Sequence, residues 1–451
     1  MTQQDGASRQ LSVRLAASIT TTSASNDLEQ VLVKPLADSA ISPSRLGERS
    51  GQALRVARTE GLSALAGRAL KRVASRVDTI AADQPLRLED TYTGPVPIVQ
   101  RTSPSVVPQR PFTINWVMTP ASAGSGGHTT IFRIVEELER LGNICRLYLY
   151  DRYLGSMRSH AAVIRMNWPE LRAPVLDVRS GLAPADAQFA TSWPTAHLIA
   201  RSEVSGARFY LVQDLESSFY PVSSESVLAE DTYRFGFHGI TAGSWLAETL
   251  RQRYRMRCDA FSFGCDTDVY RLRNRGPRSG VVFYAKPDTP RRAFTLGVLA
   301  LQQFARTYPR VDIHLFGQKV SRLPFRFINH GVLTPAQLDA LYNSCVVGLS
   351  LSLTNVSLIP WELLGSGCIP VVNDAVHNRM VLDNPFVRYA ELSVPALAQA
   401  LGEVVEDRDS TATSVRAAAS VASAGWDKAG QLVEAVLTRH LLDGRETDIP
   451  T

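Results

Sequence analysis

The chain has 451 residues, 45% of them hydrophobic and 20% charged, which suits two or three soluble domains. No run reaches the ~18 consecutive apolar residues of a membrane helix, no apolar leader is visible, and the cysteines at 145, 258, 265, 345 and 368 form no C-x-x-C or metal-spaced set; the expectation is a cytoplasmic protein with reduced thiols. A net charge of +5 favours anionic partners such as nucleotide or lipid diphosphates or a membrane surface, and is too small to argue for nucleic acid.

Residues 1–83 read as an N-terminal extension, partly helical or weakly ordered, since 1–50 are rich in Ser, Thr and Ala and free of aromatics. Within it, 52–80 place Leu62, Leu65, Ala69, Val73 and Val77 on one helical face and Arg55, Arg58, Arg68, Lys71, Arg72 and Arg76 on the other. Such a basic amphipathic helix either lies on the inner face of an anionic membrane or packs on its own protein. The Pro-rich stretch 84–110 reads as an extended linker.

A first α/β unit is expected over 111–275. Phe112–Met118 is a strand, followed by the Gly-rich turn Gly124-Ser125-Gly126-Gly127-His128, a helix over Thr129–Leu141 and a strand over Ile144–Tyr150. A Gly-rich turn between strand and helix permits close approach of a ligand to the backbone. Gly124-x-Gly126 with Asp151 further on also resembles part of a dinucleotide fingerprint, although Thr129 stands where the last Gly belongs. Short strands at 175–178, 187–190, 207–213 and 239–242 alternate with helices at 192–201 and 244–254, the pattern of a doubly wound sheet. Gln213 and Asp214 end one of these strands and either bind an acceptor or cap the next loop.

Asp266-Thr267-Asp268 has the Asp-x-Asp form of a metal-dependent transferase, yet it stands where the chain should cross between domains, so no metal is implied. The second unit, 276–425, opens with the strand Gly280–Ala285, then Lys286, Arg291 and Arg292. Further strands are expected at 311–316 and 327–330, with a helix opened by Thr334-Pro335. The apolar run Val346–Leu351 reads as a buried strand, followed by the turn Thr354-Asn355-Val356-Ser357. A helix with Pro360 in its first turn carries Glu362 and ends at Gly365 or Gly367, and Cys368–Val372 is the next strand. Amides at the start of that helix would face an anion, and Glu362 would accept hydrogen bonds from a vicinal diol. On these residues alone, an ordinary βαβ crossover with a solvated Glu fits as well. A last helix is expected within 426–445.

Glu362 with Gly367-Cys368-Ile369-Pro370-Val371 resembles the donor-binding segment of family 4 retaining glycosyltransferases of the GT-B type, and the Thr/Asn/Ser-rich turn before it resembles the bacterial rhamnosyltransferases of surface-glycan assembly. The family shows Glu, seven residues, then Glu; here the first position is Thr354, so that carboxylate is absent. The family places Arg at the end of the first strand of the second domain and Lys five residues on; here Lys286 and Arg291 stand in exchanged order. The resemblance covers roughly 111–440. It implies two Rossmann-like doubly wound domains facing across a cleft, with a C-terminal helix crossing back to the first. It further implies a metal-independent, retaining hexosyl transfer, with rhamnose from dTDP-rhamnose as the expected donor and a glycan or lipid-linked glycan as acceptor. On this reading Lys286, Arg291 and Glu362 are the catalytic set, and with Thr354, Asn355, Val356 and Ser357 they form the donor site. Gly126, Gly127, His128, Gln213 and Asp214 face the acceptor. No cofactor beyond the nucleotide sugar is implied. Two other functions fit parts of the pattern: a catalytically silent GT-B protein that only binds glycan or nucleotide, and an NAD-dependent oxidoreductase.

Overall fold

Buried apolar strands alternating with amphipathic helices build two parallel sheets among the described residues, which in this computed structural model are 86–98 and 108–442. The extension 1–83, with its amphipathic stretch 52–80, and part of the Pro-rich linker lie outside them.

The first domain begins with β1 (Thr113–Met118), buried from its second residue onward. Ser125 caps helix α1 (Gly126–Arg140) by accepting the His128 N–H, so the helix starts three residues before the expected Thr129 and takes Gly126 and Gly127 into its first turn. Its buried residues Ile131, Ile134, Val135 and Leu138 recur at helical spacing and face the sheet. Then follow β2 (Ile144–Leu149), α2 (Met157–Asn167), β3 (Val175–Asp177), β4 (Ala187–Ala190) and α3 (Trp193–Arg201). The domain is completed by β5 (Ala207–Val212), α4 (Ser224–Asp231), β6 (His238–Ala242), α5 (Ser244–Tyr254) and β7 (Cys258–Phe261). The strand order is β3-β2-β1-β4-β5-β6-β7. The sequence pattern did not announce α2, which buries only Ile164, nor β7, a four-residue edge strand with Asp259 in its middle.

The second domain runs through β8 (Val281–Ala285), α6 (Phe294–Thr307), β9 (Ile313–Gly317), β10 (Ile328–Gly331) and α7 (Pro335–Ser344). Thr334 and Gln337 close a capping box at the start of α7, and Pro335 occupies its first turn. Next come β11 (Val347–Ser350), α8 (Ile359–Gly365), β12 (Ile369–Asn373), α9 (Val376–Leu382), β13 (Arg388–Ala390), α10 (Val394–Val405) and α11 (Ser410–Ser420). The order is β10-β9-β8-β11-β12-β13. Both sheets therefore reverse direction of growth beside their first strand, between β1 and β4 and between β8 and β11. Open α/β sheets bind ligands at the carboxyl ends of the strands at such a reversal.

The last helix, α12 (Asp427–Leu441), packs on α1 of the first domain. A Cβ at Gly430 would lie 2.2 Å from Cγ of Glu137, so the two helices meet at near-backbone distance. Asn143 Nδ2 donates to Glu434 Oε2 at 2.7 Å, and Arg110 reaches the other oxygen at 3.0 Å. Where the chain crosses between domains, Asp266 pairs with Arg133 of α1 at 2.9 Å, so this half of the Asp-x-Asp is spent on holding the crossover.

At the carboxyl ends of the strands, Asn355 joins the domains. It is 0% exposed, and its Nδ2 donates to the carbonyls of Gln213 and Ala242, both at 2.8 Å, while its N–H donates to Asp214 Oδ1 at 2.9 Å. Nearby, Ser244 Oγ donates to the Met380 carbonyl at 3.2 Å, and Trp245 meets His377 edge-on at 5.3 Å. Removing a buried donor leaves its acceptors unsatisfied. Asn355→Ala is therefore expected to cost about 2–4 kcal/mol, read as a lowered urea midpoint; an unchanged midpoint would mean that this amide does not hold the domains together.

Candidate functional site

Lys286 follows β8 directly, at the reversal point of the second sheet, with its Nζ 5.8 Å from the ring centroid of Tyr284. Five residues on, a short 3-10 turn, Pro290–Arg292, presents two arginines. Arg291 crosses to the first domain: its Nε is 3.3 Å from Asp214 Oδ2, and its guanidinium lies over the Phe219 ring at 3.8 Å. Arg292 turns inward and donates to Ser352 Oγ at 2.6 Å and to the Asn355 carbonyl at 3.4 Å. Burial pushes its pKa down, but a guanidinium stays charged in proteins. The Tyr284 hydroxyl is pushed up by burial and senses Arg292, Glu362 and Arg291, so this ring stands among the charged groups of the site.

The turn after β11 is pinned from several sides. Ser352 donates its N–H to Asn373 Oδ1 at 2.9 Å, and its carbonyl accepts from Asn373 Nδ2 at 2.8 Å and His377 Nε2 at 2.9 Å. That carbonyl fixes His377 as the Nε2–H tautomer, and burial lowers its pKa. Leu353 N–H donates to the Arg291 carbonyl at 2.9 Å, tying the two cation-bearing segments together. The amides of this turn are not all turned to a ligand as the sequence suggested. That of Asn355 goes to Asp214, and that of Val356 goes to Asn355 Oδ1 at 3.0 Å. Ser357 Oγ lies 3.4 Å from Ser350 Oγ. Thr354 is buried, and its Oγ1 makes no hydrogen bond with a described residue.

Glu362 sits in the first turn of α8, with Oε2 accepting from the Tyr342 hydroxyl at 3.3 Å. Among the described residues nothing donates to Oε1. Burial pushes this carboxyl up to about 7, against the Tyr342 hydrogen bond and with a smaller push from Asp266. A second carboxyl raised to about 7 by burial, Glu216, has both oxygens occupied: Oε2 accepts the Trp193 N–H at 2.8 Å and Oε1 the Tyr210 hydroxyl at 2.9 Å. Glu216 is thus complete within the protein. Glu362 has acceptor capacity left for a ligand.

Across the cleft lies the start of α1. A Cβ on Gly126 would stand 3.8 Å from Leu358 Cδ1 of the second domain, and one on Gly127 would stand 3.6 Å from Gln213 Oε1. The two glycines therefore form a wall close to Leu358 of the second domain and beside Gln213. His128 Nε2 meets the Thr119 carbonyl at 3.0 Å, so it carries the proton, and Nδ1 accepts from Ser125 Oγ at 2.8 Å. Burial lowers its pKa, and both nitrogens are spent on shaping the glycine turn. Asp214 likewise takes its own neighbour's N–H, from Leu215, at 2.9 Å together with Asn355 and Arg291. Of the expected acceptor-side residues, His128 and Asp214 are thus engaged by the protein itself. Among the described residues, only the Gln213 side-chain amide of these three makes no hydrogen bond. Sequence reasoning missed Tyr284, Ser352, Tyr342 and His377 as site-shaping residues. For Tyr284 a signal existed, since it lies two positions before Lys286 on the same strand.

Asp151 accepts the N–H groups of Tyr153 at 2.9 Å and Gly155 at 2.8 Å, and His160 Nε2 lies 2.8 Å from its Oδ2. These contacts fill the carboxylate that a dinucleotide ribose would need. Among the described residues no group of three or more His, Cys, Asp or Glu side chains is placed to hold a metal ion. Nor is any helix long and apolar enough to cross a membrane.

Residues 279–402 match the family model "WsaF, C-terminal domain". The chain is 31% identical to the O-antigen biosynthesis protein RfbC of Myxococcus xanthus over 288 residues, 60% of this chain and 22% of that protein, so it spans about a fifth of the relative's length. Among solved structures, HepE of Anabaena in complex with UDP-glucose aligns with a TM-score of 0.57 at 16% identity, covering 72% of this chain and 99% of that one. TarM aligns with a TM-score of 0.61 at 8% identity, covering 74% and 99%. The architecture is that of the GT-B fold: two Rossmann-like domains with parallel sheets facing across a cleft.

Proposed function

We propose that this chain is a metal-independent, retaining glycosyltransferase that moves a hexose from a nucleotide-diphosphate sugar onto a bacterial surface glycan. The observation that carries the reading is the pairing, at the reversal point of the second sheet, of two cations that end β8 and its turn with a half-satisfied carboxyl on α8. Lys286 and Arg291 suit a diphosphate, and Glu362 suits the vicinal diol of a ribose. The 31% identical relative is an O-antigen biosynthesis protein, and the GT-B neighbours HepE and TarM have been seen with UDP-glucose and with UDP.

In this mechanism Glu362 orients the nucleotide, while Lys286 and Arg291 stabilise the negative charge that grows on the departing diphosphate. The glycine turn at Gly126 and Gly127 lets the acceptor approach the same face of the sugar, and Gln213 offers it an amide. The leaving phosphate oxygen takes the proton of the attacking hydroxyl, so the protein needs no carboxylate pair. Of the donors, dTDP-rhamnose is the one we favour, from the Thr/Asn/Ser-rich turn 354–357. A lipid-linked glycan is the acceptor class, with contact to a membrane surface assigned to residues 52–80.

Calorimetry with dTDP-rhamnose, UDP-glucose and a GDP-hexose is expected to give micromolar binding of the dTDP donor. Glu362→Gln should weaken it about ten- to a hundredfold, the value of one or two charge-assisted hydrogen bonds, and Lys286→Ala should weaken it to a similar degree. Absence of any nucleotide-sugar binding would reject the reading.

The Glu362 pKa near 7 sets a second test. The carboxylate is the better diol acceptor, and the diphosphate of a nucleotide sugar does not titrate near neutrality. Donor affinity should therefore rise from pH 6 to pH 8 in the natural protein and stay flat in Glu362→Gln. The same shift acts on stability. A carboxyl raised above its unfolded value holds its proton longer in the native state, so stability falls as pH rises from about 4.5 through 7. Glu362→Gln should accordingly be more stable than the natural protein at pH 8, by about 3 kcal/mol, and match it near pH 4. Equal stabilisation at both values would mean that ionisation is not the cause.

A further inference from the structure

Resting on the donor reading above, we infer that Asp214 of the first domain is a positioning residue that competes with the donor diphosphate for Arg291. Arg291 belongs to the second domain, yet among the described residues its side chain is held by first-domain groups, Asp214 and the Phe219 ring. The hold is incomplete. At 3.3 Å the Nε–Oδ2 contact is an ion pair without hydrogen-bond geometry, since Nε is buried and makes no hydrogen bond. The Nη nitrogens make no hydrogen bond with a described residue, and the side chain is 27% exposed. A guanidinium stacked on a ring and turned by one oblique carboxylate keeps its bidentate edge for another anion.

The carboxylate does not depend on Arg291 in return. Its other oxygen accepts the N–H groups of Leu215 and Asn355, each at 2.9 Å, so Asp214 stays fixed when Arg291 leaves. A diphosphate on Arg291 and Lys286 would then sit beside a fixed carboxylate, and two anions cannot share one cation without repulsion. Binding a donor must draw Arg291 away from Asp214. The Arg291 backbone carbonyl accepts the Leu353 N–H, so the guanidinium moves from a backbone anchored to the turn that carries Thr354 and Asn355. Donor binding and release of one contact between the domains are therefore a single event.

Asp214→Asn is the variant of choice, because Asn keeps the shape and the Oδ1 acceptor for Leu215 and Asn355 and removes only the charge. Titrated with inorganic pyrophosphate, which carries neither nucleoside nor sugar, it should bind about 3–10-fold more tightly than the natural protein. In an Arg291→Ala background the same change should have no effect, because the competition is for that guanidinium. Unchanged or weaker binding by a folded Asp214→Asn protein overturns the inference, as does an equal gain in the Arg291→Ala background. Should Asp214→Asn fail to fold, hydrogen exchange of the natural protein decides: pyrophosphate should speed exchange over residues 216–219, the turn whose Phe219 ring Arg291 covers, and unchanged protection there overturns the inference. If the pyrophosphate cycle behaves as expected and no nucleotide sugar binds, the donor reading fails while the competition stands. Binding of neither ligand by the natural protein or by Asp214→Asn rejects both.

Discussion

The cleft is closed by one fully buried amide side chain. Asn355 leaves the second domain, enters the first, and satisfies two carbonyls at the ends of β5 and β6 that would otherwise be buried without donors. Its own carbonyl is held in turn by Ser352 Oγ and Arg292, and Ser352 is fixed by Asn373 and His377. Because each group in this chain has little other hydrogen-bonding capacity, the position of the turn after β11 is set by the first domain as much as by the second. A residue in this turn is therefore placed by contacts more than a hundred residues away in sequence.

That explains which parts were legible beforehand. The strands that end at Ala285, Ser350 and Val212 are mostly apolar, Arg208 and Ser350 aside, and burial on both faces writes itself directly into sequence. Lys286 and Glu362 could be singled out because each stands at a fixed offset from such a run. The roles of His128, Asp214 and Asn355 could not be read this way. Their sequence neighbourhoods suit ligand contact, but each is engaged inside the protein, His128 within its own glycine turn and Asp214 and Asn355 across the cleft. Local pattern identifies a polar residue at a strand end; it does not say whether a ligand or the opposite domain will use it.

Thr354 shows the same limit from the other side. The family pattern places a carboxylate at this position, and here a threonine stands in its place. The structure gives a buried hydroxyl with no hydrogen bond, on a turn whose neighbouring arginines already have partners, Arg292 in Ser352 and Arg291 in Asp214. A carboxylate here would be a second anion beside Asp214 competing for the same guanidinium, and a buried charge left unpaired costs several kcal/mol. The short Thr and the first-domain Asp214 are in this sense alternatives: a negative group stands opposite Arg291, but it is contributed across the cleft.

Glu216 and Glu362 settle how a buried carboxyl can be read for function. Both are raised to about 7 by loss of water, so the shift alone does not separate them. Hydrogen-bond completeness does. Glu216 has a donor on each oxygen, and a third group, the Tyr233 hydroxyl, accepts its own N–H at 2.8 Å, so nothing is left for a ligand to satisfy. Glu362 has one long contact and an oxygen that no described residue serves. Keeping such a group in a well-packed domain lowers stability, and natural proteins retain costs of this kind mainly where a ligand removes them. With both carboxyls equally raised, it is the unfinished one that has room for a ligand's hydroxyls, which is why the proposed donor site is built on Glu362.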